Sequence, residues 1–370
     1  MDAHRIKLII LSIGILFLFS CKNSNDKSTR LPSCKVGINL TLTGNAANWG
    51  SEVKKGLVLG FRMFNDTCKR MQIETVVEDN QMDPGKAVSI TKKLLDVDQC
   101  DLIISGYTPV VKATAPIVNE RGIPYLATLT SAADVTDAMP WVFRDFVREP
   151  VYMPMLARYA ANLGLKKGSA LVVNDDFGLD ARYHFGQRFV SLGGNMDPGE
   201  VFDASDTDLR NKISSVLSSD PDFILVVGRG AAMINGIRQI REKNPDLPLF
   251  LPVSIDDDMI WNALGEAANG IIFARIDINS QHPGFLKVDS VFNETYGYNI
   301  KWMNIYGYSI ACYLCRGFYE NGCDPDSMRS YLETLDYSCL RGLIHMDASR
   351  EVIAPLKIVR RFQGETIQVN

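Results

Sequence analysis

Residues 35–64 read KVGINLTLTGNAANWGSEVKKGLVLGFRMF, and the order of residue types in this stretch decides the fold. Residues 36–40 form a short apolar strand. Residues 41–49 are a polar loop of small side chains, and an amphipathic helical pattern begins near Ser51. A strand, an open loop and a helix start place that loop at the carboxyl end of the strand, where open α/β sheets bind ligands. Trp49 stands there among Gly, Asn, Ala and Thr. Such an indole either walls a small-molecule site or folds back over its own helix.

The same unit recurs along the chain. Residues 73–78 read as a strand, and Asp83-Pro84-Gly85 opens a helix with Asp83 as cap and Pro84 at the first position. Further strands at 102–105 and 124–127 run into Gly106-Tyr107-Thr108-Pro109 and Thr128-Leu129-Thr130-Ser131. After an extended segment near Phe143 a second series starts, with strands at 170–174, 199–202, 223–227, 249–253 and 270–274. Long helices return at 284–296, 304–321 and 326–335, and 353–362 alternates like a strand. Strands and helices alternating at these lengths imply α/β lobes built on parallel, doubly wound sheets.

The chain has 370 residues, 46% of them hydrophobic and 22% charged, with a formal charge of −4. That is globular composition, long enough for two domains. No basic cluster recurs, which argues against a nucleic-acid partner. At the N-terminus Arg5 and Lys7 precede an apolar run over 8–19, shorter than the ~20 residues that span a bilayer. The run ends in Leu18-Phe19-Ser20-Cys21, which resembles the bacterial lipobox. Residues 1–20 are therefore expected to be a lipoprotein signal peptide, with Cys21 lipidated; the alternative is a plain signal anchor. Residues 21–33, rich in Ser, Asn and Lys, read as a flexible tether.

Export puts disulfides in play. Besides Cys21 there are Cys34, Cys68, Cys100, Cys312, Cys315, Cys323 and Cys339, an odd number. Cys34, Cys68 and Cys100 each precede a strand, so one pair among them is a candidate bond. Cys323 and Cys339 form a second candidate pair. Cys312 and Cys315 have C-x-x-C spacing within an apolar helix and read as buried thiols. The histidines are scattered, so no metal site is expected.

Six strand-end loops are unusually polar or aromatic: 41–49, 107–108, 129–131, 175–177, 228–230 and 254–258. Facing one another across two lobes, they would line a single cleft. The hydroxyls of Thr108, Thr130 and Ser131 suit a carboxylate or small anion, or serve as helix caps. Gly228-Arg229-Gly230 lacks the third glycine of a dinucleotide fingerprint, because Met233 occupies its place. Arg229 either clamps a carboxylate or is solvated. Asp256-Asp257-Asp258 either caps the next helix or offers a carboxylate to a substrate ammonium. There is no G-x-S-x-G, no P-loop and no His near a Ser or Cys in a plausible loop. Neither catalysis nor a cofactor is expected.

In order and spacing, VGINLTLTGNAANWG, VEDNQMDPGKAV, GIPYLATLTSAADVT, ALVVNDDFGLDAR, FILVVGRGAAMINGIRQIR and RGLIHMDASREVIAPLKIVRRFQGE resemble one known family. It is the type I periplasmic binding proteins, in the Leu/Ile/Val-binding group that feeds ABC transporters. The resemblance runs from about Lys35 to Gly364. It implies two lobes joined by three crossover segments and closing by a hinge, one of 34–144 with 278–344, the other of 145–277 with 345–370. It further implies a monomer that passes an amino acid or related carboxylate to an ABC permease, anchored outside the cytoplasm by its lipid. A sensor module for a receptor or kinase, or an exported enzyme, would use the same scaffold.

Carried over by position, Trp49 matches an aromatic placed against the ligand, and Thr108, beside Tyr107, a hydroxyl that binds carboxylate. Leu129 and Ser131, flanking Thr130, match the stretch that grips carboxylate and ammonium. Phe177 takes the place of an aromatic from the second lobe. Gly230 or Ala231 falls where another aromatic is usual. The acid that holds the ammonium aligns with Ser254, with Asp256 two residues on. With Arg229 nearby, that departure points to a ligand with an extra acidic group, or to a carboxylate without an amine.

Overall fold

The computed structural model describes residues 31–369 apart from 45–46 and 132–133. The expected signal peptide, most of the tether and Cys21 lie outside these residues. The chain runs β1 (Ser33–Leu40), α1 (Ala47–Thr67), β2 (Gln72–Asp79), α2 (Pro84–Asp96), β3 (Leu102–Gly106), α3 (Thr108–Glu120), β4 (Tyr125–Thr128) and β5 (Val142–Asp145). These strands form an all-parallel sheet in the order β2-β1-β3-β4-β5. Strand β1 sits between its sequence neighbour β2 and β3, so the winding reverses there, as a doubly wound sheet requires.

A second series follows: α4 (Glu149–Asn162), β6 (Lys167–Val173), α5 (Asp176–Ser191), β7 (Asn195–Met196), β8 (Glu200–Phe202), α6 (Arg210–Ser218), β9 (Phe223–Val227), α7 (Gly230–Lys243) and β10 (Leu249–Leu251). After a 3-10 turn at Val253–Ile255 come α8 (Asp258–Leu264) and β11 (Ile271–Ile276). The chain then returns to the first sheet through α9 (Phe285–Tyr296), α10 (Trp302–Asn321) and α11 (Pro325–Glu333). A small antiparallel sheet of β12 (Asp336–Cys339), β13 (Gly342–Met346) and β14 (Val352–Ile353) leads to β15 (Leu356–Phe362) and β16 (Glu365–Gln368). Strand β15 adds antiparallel to β11, completing an eight-stranded second sheet.

Helix α10 explains its own apolar sequence. It is buried on nearly every side, and its close partner is α1. A Cβ on Gly56 would lie 2.0 Å from the Asn304 carbonyl oxygen, so only glycine lets the two backbones meet this closely. The C-x-x-C pair lies on this helix with both thiols free, and burial pushes Cys312 up to about 12.

Three expectations change. Helix α1 begins at Ala47 rather than near Ser51, which puts Trp49 in its first turn. A Cβ at Gly50 would lie 2.1 Å from the Thr41 carbonyl oxygen, so the helix starts directly on the end of β1. The single disulfide among the described residues joins Cys34 to Cys323, across 289 residues, and not either expected pair. Helix α10 ends beside the start of β1, whereas Cys100 is buried under Gly37 and Cys339 is buried within β12. The alternation at 353–362 is two strands, not one, because Ala354-Pro355 interrupts the ladder.

Where the chain crosses between sheets, charges are buried in pairs. Arg341 donates twice to the Asp145 carboxylate, at 2.8 and 2.6 Å, and the Tyr313 hydroxyl bonds the same group at 3.1 Å. Burial opposes the Arg341 charge, yet Asp145 holds the guanidinium above its ordinary range. Glu351 accepts from Arg144 and, at 2.8 Å, from Arg148.

Candidate functional site

The carboxyl ends of both sheets open onto one cavity of about 1190 Å³. That exceeds the roughly 300–1,000 Å³ usual for a small-molecule site, as an open cleft should. All six strand-end segments contribute to its lining. From the first sheet's side come Asn48, Trp49, Tyr107, Thr108, Leu129 and Ser131, and from the second Asp175, Phe177, Arg229, Ser254 and Asp257.

Two positions at the first sheet's strand ends carry left-handed backbone, Tyr107 at φ 68° and Leu129 at φ 52°. Such conformations are costly for residues with a Cβ and concentrate where a chain must present groups to a ligand. They follow β3 and β4 directly and turn the backbone toward the cavity wall. Thr108 and Thr130 share a hydrogen bond of 2.8 Å between their hydroxyls. Thr130 is itself buried and does not line the cavity; it orients the Thr108 hydroxyl, which does.

Trp49 is not folded over its own helix. Its ring meets Trp302 edge-on at 5.8 Å and Phe146 at 6.4 Å, and its indole N–H reaches Asp257 at 3.1 Å. Phe177, in the first turn of α5, lies under the Arg229 guanidinium at 4.1 Å. Arg229 also donates to Asp175 at 2.6 Å. Both side chains are about half exposed and lie in the cavity lining.

Asp256 lies outside the cavity. It is 6% exposed, paired with Arg275 at 2.7 Å behind the wall, and burial holds its carboxyl above the ordinary range. Its neighbour Asp257 takes the place at the cleft and also caps α8, accepting from the Met259 amide at 2.7 Å. Sequence reading missed Glu149 altogether. This first residue of α4 lines the cavity at 2% exposure, and burial raises its carboxyl from an ordinary 4.5 to about 7. The Tyr152 hydroxyl bonds it at 3.2 Å. The available signal was an acid in VREPVYMP at a helix start, which is indistinguishable from a capping residue.

A family model described as periplasmic binding protein matches residues 33–362. The chain belongs to the periplasmic binding protein family. Its fold is the type I fold, and its relatives lie in the Leu/Ile/Val-binding group. Leu/Ile/Val-binding protein homolog 6 of Brucella suis is 25% identical over 251 residues, covering 64% of this chain and 63% of that protein. The leucine binding protein LivK of Thermotoga maritima superposes with a TM-score of 0.82 at 22% identity, covering 91% of this chain and 98% of that one. A solute binding protein of an ABC transporter from Rhodopseudomonas palustris, solved with 3,4-dihydroxybenzoic acid, gives 0.79 at 22% identity, covering 91% and 96%. The match to this chain spans less than two thirds, 63%, of the length of the Brucella suis relative. Among the described residues no helix is long and apolar enough to cross a membrane.

Proposed function

We propose that this periplasmic binding protein captures an amino acid or related small carboxylate between its lobes and delivers it to an ABC permease. One observation carries the reading. Loops from both sheets converge on a single cavity walled by Trp49 and Phe177, with the Thr108 and Ser131 hydroxyls in its lining. Aromatic walls with a few placed polar groups are how small solutes are held. The lobes taking part are residues 34–144 with 278–344, and 145–277 with 345–370. The ligands for which these relatives are named or with which they were solved, leucine in one case and a dihydroxybenzoate in another, both carry a carboxylate. The hydroxyls suit that group. A lipid on Cys21 would hold the monomer at the membrane near its permease, a reading supported by the lipobox-like 18–21 segment alone.

A thermal-shift screen against amino acids and against aliphatic and aromatic acids tests the reading. We expect at least one compound to raise the melting temperature, by more the tighter it binds. No shift with any of them would contradict it.

A further inference from the structure

We propose that the solute carries an apolar tail longer than a leucine side chain. The tail lies on a strip formed by Gly230, Ala231 and Ile234 of α7 and Met259, Ile260 and Ala263 of α8. The inference rests on the cleft reading above and names the part of the cavity that decides its ligand class.

All of these residues line the cavity. Ala231 and Ile234 lie three apart on α7, and Met259 and Ala263 four apart on α8, so each pair shares one helix face. Each helix therefore contributes about one turn, roughly 6 Å, of apolar wall. The two helices pack together, and Arg238 of α7 donates to the Ala263 carbonyl oxygen, which fixes them side by side. Ile234 and Ile260 are half-buried against the same apolar cluster of the second lobe as Phe177, so the strip continues the aromatic wall. A Cβ on Gly230 would meet no atom within 4 Å, so the cavity is open over the start of α7. No side chain of the strip carries a charge or a hydroxyl. The charges border it, Arg229 at one helix start and Asp257 at the other.

Exposed apolar surface rimmed by polar residues marks a binding site, and Met259 is 67% exposed. The first lobe is not what covers it. The lobes already meet beside the strip through three successive residues. Trp302 donates to the Asp256 carbonyl oxygen at 2.6 Å, Trp49 donates to the Asp257 carboxylate at 3.1 Å, and Lys301 pairs with Asp258. With these contacts made, the strip still faces the cavity. An apolar tail laid on it takes both surfaces out of water, whereas a polar group there would lose its hydrogen bonds. With its carboxylate at Thr108 and its tail on α7 and α8, one solute spans the cleft and touches both lobes.

The test titrates two homologous series into the full chain by calorimetry: straight-chain 2-amino acids from alanine to 2-aminooctanoate, and straight-chain carboxylates from propanoate to octanoate. In the series that binds, we expect roughly fourfold tighter binding for each added methylene. The gain should continue past norleucine or hexanoate, the members of leucine's size. Ala231→Trp fills the strip from an exposed helical position and should flatten that further gain while its circular dichroism stays native. The wild-type series needs no variant, so a misfolded Ala231→Trp leaves the test intact. Affinity that peaks at or before norleucine or hexanoate overturns the tail and leaves solute capture standing. So does a binder from the thermal-shift screen when no member of either series binds. An undiminished gain in folded Ala231→Trp overturns the placement on the strip. Failure of every compound in the screen and in both series contradicts solute capture itself.

Discussion

The indole N–H of Trp49 donates to the Asp257 carboxylate at 3.1 Å, and the Asn48 side chain reaches the same oxygen at 2.5 Å. Trp49 and Asn48 belong to α1 beside the first sheet, whereas Asp257 caps α8 beside the second. One carboxylate thus clasps the two lobes at the cavity. Removing it by Asp257→Ala deletes two charge-assisted contacts of about 1 kcal/mol each once solvent is considered. Small-angle scattering should show a larger radius of gyration for ligand-free Asp257→Ala than for wild type. An unchanged radius would mean the clasp does not hold the lobes.

Glu149 predicts how stability depends on pH. Its folded-state value of about 7 lies above the ordinary 4.5, so between those values the folded chain keeps a proton that the unfolded chain has lost. Stability from this group is therefore fully present below 4.5 and is lost as pH rises through about 7, on the order of 3 kcal/mol in total. Glu149→Gln removes that slope. Urea unfolding of ligand-free protein should show the variant more stable than wild type at pH 8 and nearly equal at pH 4.5. No difference in slope between the two would place the Glu149 carboxyl in a solvated setting, and the reverse order would mean the fold favours its charged form.

The Asp145–Arg341 pair holds the point where β5 leaves the first sheet. Both side chains are almost wholly buried, at 1% and 2% exposure. Arg341→Met leaves a buried carboxylate uncompensated and should cost about 3–5 kcal/mol in urea unfolding. Adding Asp145→Asn should recover a large part of that loss, because the orphaned charge goes with it. Additive costs would mean the two do not act as a pair.

The Cys34–Cys323 bond closes a loop across 289 residues and ties the start of β1 to the chain after α10. Replacing both by Ser should cost roughly 2–5 kcal/mol and lower the melting temperature. Dithiothreitol should lower wild type similarly and leave the double variant unmoved. A wild type insensitive to reductant would count against the bond.

The α/β pattern was legible because it is local. Strands such as β9 (Phe223–Val227) are unbroken apolar runs, and Asp83-Pro84 caps α2 as read, with Asp83 accepting from Lys86 at 2.9 Å. Convergence of the loops followed from the rule that parallel sheets present their ligands at one edge. What resisted reading was long-range. The partner of Cys34 depends on where α10 ends in space, which no nearby residue encodes. Asp256 and Asp257 are adjacent and chemically identical, yet one turns inward to Arg275 and the other toward the cleft. Glu149 looked like any helix-start acid, and only the depth of the cavity gives it a different meaning. The short strands of the small sheet, such as Val352–Ile353, are too brief for alternation to mark them.

We place the bound solute in the cavity between the sheets. Calorimetric titration of the tightest-binding compound from the screen into wild type, Trp49→Ala and Thr108→Ala tests it most directly. Each variant should bind at least ~10-fold more weakly, as loss of a cavity-wall contact or a hydrogen bond to a charged group implies, with its circular dichroism unchanged. Wild-type affinity retained in both folded variants would mean the solute binds elsewhere.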